Sequence, residues 1–118
     1  MNLKDIVDFI LKEDTGNAWK EKNFAGIADE LLTYQYAVVV DDKGEIEGVA
    51  TGSLEDSGLV FNVFNVYTKR PGALVKLLKN FSMRFPFHNI TAYRQNKQKQ
   101  VTYLWRDIQK MSRRLQHG

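Results

Sequence analysis

Residues 59–67, LVFNVFNVY, constrain this chain more than any other stretch. Their β-branched and aromatic residues are those of a strand, and both alternating faces are apolar: Val60, Phe64 and Val66 on one, Leu59, Phe61 and Val63 on the other. A strand apolar on both sides needs cover on both sides, so it belongs inside a sheet with other elements packed above and below. The stretch stops at TKRPG and runs into ALVKLLKNF, where Leu74, Leu77, Leu78, Phe81 and Phe85 fall on one helical face. Pro71 suits the first turn of that helix, where a missing N–H costs no intrahelical bond, and Pro86 closes it.

Upstream, YAVVV, EIEGVATGS and the long strand are separated by DDKG and EDSG, whose Asp and Gly residues tolerate tight-turn geometry. Residues 36–67 are therefore expected to form an antiparallel meander. Before it, Leu3, Ile6, Val7 and Ile10 predict a helix over residues 3–13, with Asn2 and Asp5 as its cap pair. Phe24, Ile27, Ala28 and Leu31 predict a second over roughly residues 20–33. Downstream, residues 89–94 (NITAYR) are reached from the long strand through a helix, which permits a parallel neighbour by a right-handed crossover. VTYLWR then alternates Val101, Tyr103 and Trp105 as a returning strand, and Leu104, Ile108, Met111 and Leu115 mark a last helix whose other sides carry Arg106, Lys110, Arg113 and Arg114. The fold class is α+β in three layers, within a single domain over residues 1–118.

The chain has no cysteine, which removes disulfides and thiolate metal sites. His88 and His117 stand apart from any acidic cluster, so no metal site is expected. MNLKDIVDFILKED mixes charges into its apolar positions and is neither a signal-peptide core nor a spanning segment, so the expectation is a cytoplasmic protein without membrane attachment. The net charge of +3 hides an asymmetry: residues 1–68 hold 5 Lys and Arg against 13 Asp and Glu, residues 69–118 hold 12 against 1. Either the two halves attract one another within the fold, or the basic half engages nucleic acid or an acidic protein partner. Lys69, Arg70, Arg94 and Lys97 fall at or just past the carboxyl ends of adjacent strands, where open α/β sheets bind ligands, and are expected to gather at one end of the sheet.

The order helix, helix, three antiparallel strands, helix, strand, strand over residues 1–106, with Lys69-Arg70-Pro71-Gly72-Ala73-Leu74 after the long strand, resembles the GNAT fold of N-acetyltransferases. In that family a turn of the type Q/R-x-x-G-x-G/A follows the long central strand, and its amides at a helix start bind the pyrophosphate of acetyl-CoA. The resemblance implies a GNAT-like mixed sheet, an acetyltransferase using acetyl-CoA or another acyl-CoA, and cofactor contacts from Val66, Tyr67, Lys69, Arg70, Gly72 and Ala73. Pro71 removes one amide from this turn and Leu74 stands where the family has a small residue, so weak anion binding is expected.

The family also places a glutamate on or near the central strand and a tyrosine after the next one. Asn62 and Asn65, the polar residues of the central strand here, cannot act as bases. The candidates are Glu47, with Glu45 and Glu55, as base and Tyr93 or Tyr103 as acid, although carboxylates beside hairpin turns are most often solvated and alternating strand tyrosines most often packed. GNAT-like folds of this size also serve as phage components, so the resemblance equally implies a non-catalytic binding or structural module. In this fold the central strand and the strand after residue 88 splay apart to receive the pantetheine arm, and a continuous ladder would leave no room for it.

Overall fold

The computed structural model describes residues 2–14, 19, 21–94 and 98–117, the side chains of 94 and 112–117 excepted. Helix α1 (Leu3–Glu13) starts at Asn2, whose side-chain oxygen accepts the Asp5 N–H at 3.0 Å, and buries Ile6, Val7 and Ile10. Helix α2 (Phe24–Thr33) starts later than residue 20, because the Asn23 side chain accepts the Gly26 N–H at 2.8 Å and fixes the first turn there. Ile27 and Leu31 are its buried stripe; Phe24, expected on that stripe, lies in the first turn and is exposed.

Strands β1 (Gln35–Val40), β2 (Ile46–Leu54) and β3 (Val60–Thr68) form the expected antiparallel meander. In its first turn Asp41 Oδ1 accepts the N–H groups of Lys43 and Glu45 at 2.9 and 3.0 Å, and Gly44 takes a φ of +82° that a side chain would strain. Helix α3 (Pro71–Arg84) crosses over to β4 (Asn89–Arg94), which runs parallel to β3 as expected, and β5 (Lys99–Tyr103) returns antiparallel to β4. The sheet order is β1-β2-β3-β4-β5. Trp105 does not extend β5: Asn89 Oδ1 accepts its N–H at 3.1 Å, the Leu104 carbonyl accepts from Asp107 and Ile108, and the chain turns into α4 (Trp105–His117). Leu104 therefore precedes the helix it was expected to face along. Ile108 is fully buried, and the Leu115 side chain falls outside the described residues.

Two cores lie on opposite faces of the sheet. Ile6, Val7, Ile10, Trp19, Ile27 and Leu31 pack on Val49 from the α1/α2 side. Leu77, Leu78, Phe81 and Ile108 pack on Phe61, Val63, Ile90 and Ala92 from the α3/α4 side. The fold is mixed α+β, with helices on both faces of a five-stranded mixed sheet. The layers also divide the charge: α1 and α2 carry two Lys against five Asp and Glu, whereas α3 and α4 carry seven Lys and Arg against one Asp. Along the outer edge of β1, Arg84 of α3 donates to the Tyr36 carbonyl at 2.7 Å.

Two bulges decide which side chains meet which layer. In β3 the extra residue is Phe64, since Thr51 pairs with Asn65 and Gly52 with Val63. Alternation inverts there, so Val66 joins the Phe61 face while Asn65 and Tyr67 turn to α1 and α2; Phe64 and Val66 do not share the face that strict alternation predicts. Gly52 sits beside this bulge because β3 approaches so closely that a Cβ would stand 2.4 Å from the Asn62 carbonyl oxygen. In β2 the extra residue is Glu47, since Val39 pairs with Gly48 and Val40 with Ile46. The bulge turns Glu47 toward α3.

Candidate functional site

The ladder between β3 and β4 has four pairs, from Val60 with Asn89 to Val63 with Ala92, and stops there. β3 continues through Phe64 to Thr68, about 16 Å of strand at roughly 3.3 Å per residue. Tyr93 and Arg94 of β4 continue as well, but pair with Gln100 and Lys99 of β5. The described ladder therefore ends beside the β3 bulge. Beyond that point the backbone of β3 has no ladder partner on the β4 side among the described residues, and such groups can hydrogen-bond an extended amide-bearing ligand.

Just past the end of β3, Arg70 is the N-cap of α3 without a side-chain capping hydrogen bond, and Pro71 is the first helical residue. The Lys69 N–H donates to the Glu47 carbonyl at 2.9 Å and the Ala73 N–H to the Arg70 carbonyl at 3.0 Å. Gly72 faces open space, whereas Ala73 is fully buried. The Val66 and Tyr67 side chains pack into opposite cores, Tyr67 edge-on to Phe9 at 5.8 Å, so only their backbones are left to face the β4 side. The cations do not converge: Lys69 lies 3.6 Å from Glu13 of α1, and Arg70 pairs at 2.7 Å with Glu47 on the α3 side. Lys97 and the Arg94 side chain fall outside the described residues. The electrostatic support expected from four gathered cations is reduced to Lys69 and Arg70, each already engaged by a carboxylate.

Glu47 differs from the solvated carboxylate expected beside a hairpin turn. It is 3% exposed, with Lys76 on one oxygen at 2.5 Å and Arg70 on the other at 2.7 Å. The hydrogen bond from Lys76, with that from Arg70, holds its carboxyl below the ordinary carboxylate value against the opposing effect of burial. That makes it an anchor between β2 and the start of α3 and a weak proton acceptor.

A different carboxylate stands at the β3 bulge. Glu30 of α2 accepts from the Thr51 hydroxyl at 3.1 Å and the Asn65 amide at 2.7 Å, two buried groups paired across β2 and β3 at the bulge. The buried Trp19 indole N–H lacks a well-formed partner but lies close enough to favour the charged carboxylate; Asp14 places Trp19 by accepting its backbone N–H at 2.7 Å. Burial pushes the Glu30 carboxyl above its ordinary value, and the hydrogen bonds from Thr51, Trp19 and Asn65 only partly offset it. Tyr34, one turn further on, sets its ring edge-on to Phe64 at 5.1 Å. The sequence signal was present: Glu30 follows Ile27 by three positions and precedes Leu31, which puts a carboxylate on the apolar stripe.

Tyr93 lies just past the last β3/β4 pair and is 54% exposed. Tyr103 pairs with Ile90 at the other end of β4 and packs against the α3/α4 core, away from the last β3/β4 pair. His88 Nδ1 lies 2.9 Å from the Pro86 carbonyl, and the His117 side chain is outside the described residues. Among the described residues no group of three or more His, Cys, Asp or Glu could hold a metal ion, and no helix is long and apolar enough to cross a membrane. A hollow of about 630 Å³ lies against α1 and the β1–β2 turn, lined by Asp5, Asp8, Glu13 and Glu45 together with Lys12 and Lys69. Comparison with protein-family models, curated proteins and solved structures finds no match for this chain.

Proposed function

We propose that this chain is a small GNAT-like protein of the cytoplasm that takes the pantetheine arm of acetyl-CoA or another acyl-CoA between β3 and β4 and transfers the acyl group to an amine. The observation that carries the reading is the β3/β4 ladder, which ends after four pairs beside a bulge while both strands run on. The backbone of residues 64–67 binds the arm, and the start of α3, with Gly72 open to solvent, faces the phosphates. The amine nitrogen attacks the thioester carbonyl carbon; a C–N bond forms, the C–S bond breaks, Glu30 accepts the nitrogen's proton and Tyr93 protonates the departing thiolate. Glu30 suits the first role better than Glu47, because its carboxyl binds a proton more readily than an ordinary glutamate while that of Glu47 binds one less readily.

Thermal unfolding with acetyl-CoA tests this directly. A ligand that binds only the folded state stabilises it by about 2.7 kcal/mol at a hundred times its Kd, so Tm should rise at millimolar acetyl-CoA. An unchanged Tm there would overturn the reading. It would favour the second one, a non-catalytic binding or structural module of the phage-component kind, which the α3 turn supports: Pro71 donates no amide, the Ala73 N–H is used, and both nearby cations are engaged.

A further inference from the structure

The outer edge of β1 carries a cation to which the fold gives no carboxylate. Arg84, in the last turn of α3, donates through Nη2 to the Tyr36 carbonyl at 2.7 Å and lies over the Phe81 ring, 4.9 Å from its centroid, with the Phe85 ring at 5.9 Å. It forms no ion pair among the described residues, and neither α3 nor β1 contains an Asp or Glu. Burial pulls the guanidinium below its ordinary pKa, although it stays charged at neutral pH. A planar cation fixed by two rings and a carbonyl, with donors to spare, is set to receive an anion. The hollow around it is about 460 Å³, within the range of about 300–1,000 Å³ that small ligands ordinarily fill, and is lined by Asn80, one turn before Arg84, and by residues 34–38.

The backbone beside it is open as well. In an antiparallel pair the N–H and C=O of one residue point to the same side, and the side alternates along the strand. The Tyr36 carbonyl points away from β2 to meet Arg84, so Val38, two positions on with no bulge between, presents both its N–H and its C=O outward. β1 is an outermost strand, so these groups have no ladder partner on that side among the described residues. An incoming strand can pair with Val38, but at Tyr36 it meets a guanidinium in place of a free carbonyl. A strand that runs on is blocked there, whereas a chain that ends there brings its terminal carboxylate to Arg84. A lone phosphate would use the guanidinium and leave the Val38 groups unused. Charge complementarity and the open backbone together select the carboxyl end of a peptide. We propose that the β1 edge binds an extended peptide antiparallel to β1, paired with Val38 and ending in a free carboxylate held by Arg84 and Asn80. This edge is separated from β3 and β4 by β2 and stands independently of acyl transfer.

The test is fluorescence anisotropy of the full chain with a labelled hexapeptide of alternating Thr and Val, made with a free and with an amidated carboxyl end. The free acid is expected to bind about tenfold or more tighter than the amide, a difference that Arg84→Gln should remove together with the charge-assisted contact. Methylating the backbone nitrogens of one alternate set of residues should abolish binding and methylating the other set should not, because a strand offers only alternate N–H groups to its neighbour. Arg106→Gln on α4 should leave affinity within about twofold. The proposal fails if the free acid does not bind, if acid and amide bind alike, if both methylated peptides bind as the parent does, or if inorganic phosphate displaces the peptide at equal concentration, which would leave an anion site alone. The peptide comparisons use the unaltered chain, so a folding defect in Arg84→Gln does not decide the outcome. Acetyl-CoA titration reads a separate site, so failure of either proposal is visible without the other.

Discussion

Two carboxylates, one on each face of the sheet, have opposite acidities although both serve a bulge. Glu47 is the less accessible, yet its carboxyl is held below the ordinary value of 4.5, whereas the half-buried Glu30 is raised above it. Accessibility alone would predict the reverse. What hides Glu47 is a pair of cations at the rim of the molecule, Arg70 and Lys76, themselves 58% and 42% exposed, and their charge stabilises the ionised form. Glu30 is enclosed by the neutral groups of Thr51, Asn65 and Trp19, which provide hydrogen bonds without countercharge. Partner chemistry, more than burial, therefore separates a structural anchor from a candidate base.

The largest effect that sharpens this contrast is expected from Glu30→Ala. It leaves Thr51 and Asn65, 0% and 6% exposed, without their acceptor and should cost about 1–3 kcal/mol in urea unfolding. Glu47→Gln should cost less, about 1 kcal/mol, because Arg70 and Lys76 can return their charge to water; a larger loss than from Glu30→Ala would break the contrast. The pH dependences should run in opposite directions. A raised pKa in the folded state gives Glu30 a contribution that is intact in acid and lost as pH climbs above 4.5 through the raised value, so Glu30→Gln should gain on the wild type over that interval. A lowered one gives Glu47 a contribution that is intact above 4.5 and lost as pH falls below it, so the deficit of Glu47→Gln should shrink there. Parallel profiles for the two variants would refute the assignment. The smallest effect is expected from Arg70→Ala, below about 1 kcal/mol, because the exposed guanidinium is screened and Lys76 still holds Glu47.

The order of elements was legible because each has its own period: the helical stripe of Ile6, Val7 and Ile10, the β-branched strands, and Pro71 at the first turn of α3. The parallel pairing of residues 89–92 with β3 followed from the intervening helix. The two bulges were not legible. A bulge is a property of two paired strands, and nothing local to Phe64 or Glu47 marks them as extra residues. That one omission explains both the misassigned face of Val66 and the unexpected burial of Glu47. The site suffered in the same way: Lys76 and Glu47 are 29 positions apart, as are Asn62 and Thr91, and their meeting depends on register. Glu30 was readable in principle, since a carboxylate on an apolar stripe needs a reason to be there.

The bond from Arg84 to the Tyr36 carbonyl bears on how the molecule behaves in company. β1 is one of the two outermost strands, and an outermost strand with a free backbone edge is a template on which another chain can extend the sheet. A guanidinium seated on that edge occupies an acceptor that an incoming strand would need and sets a positive charge in its path. A side chain from α3, whose other end anchors Glu47, thus gives β1 a local defence against fibril-like stacking.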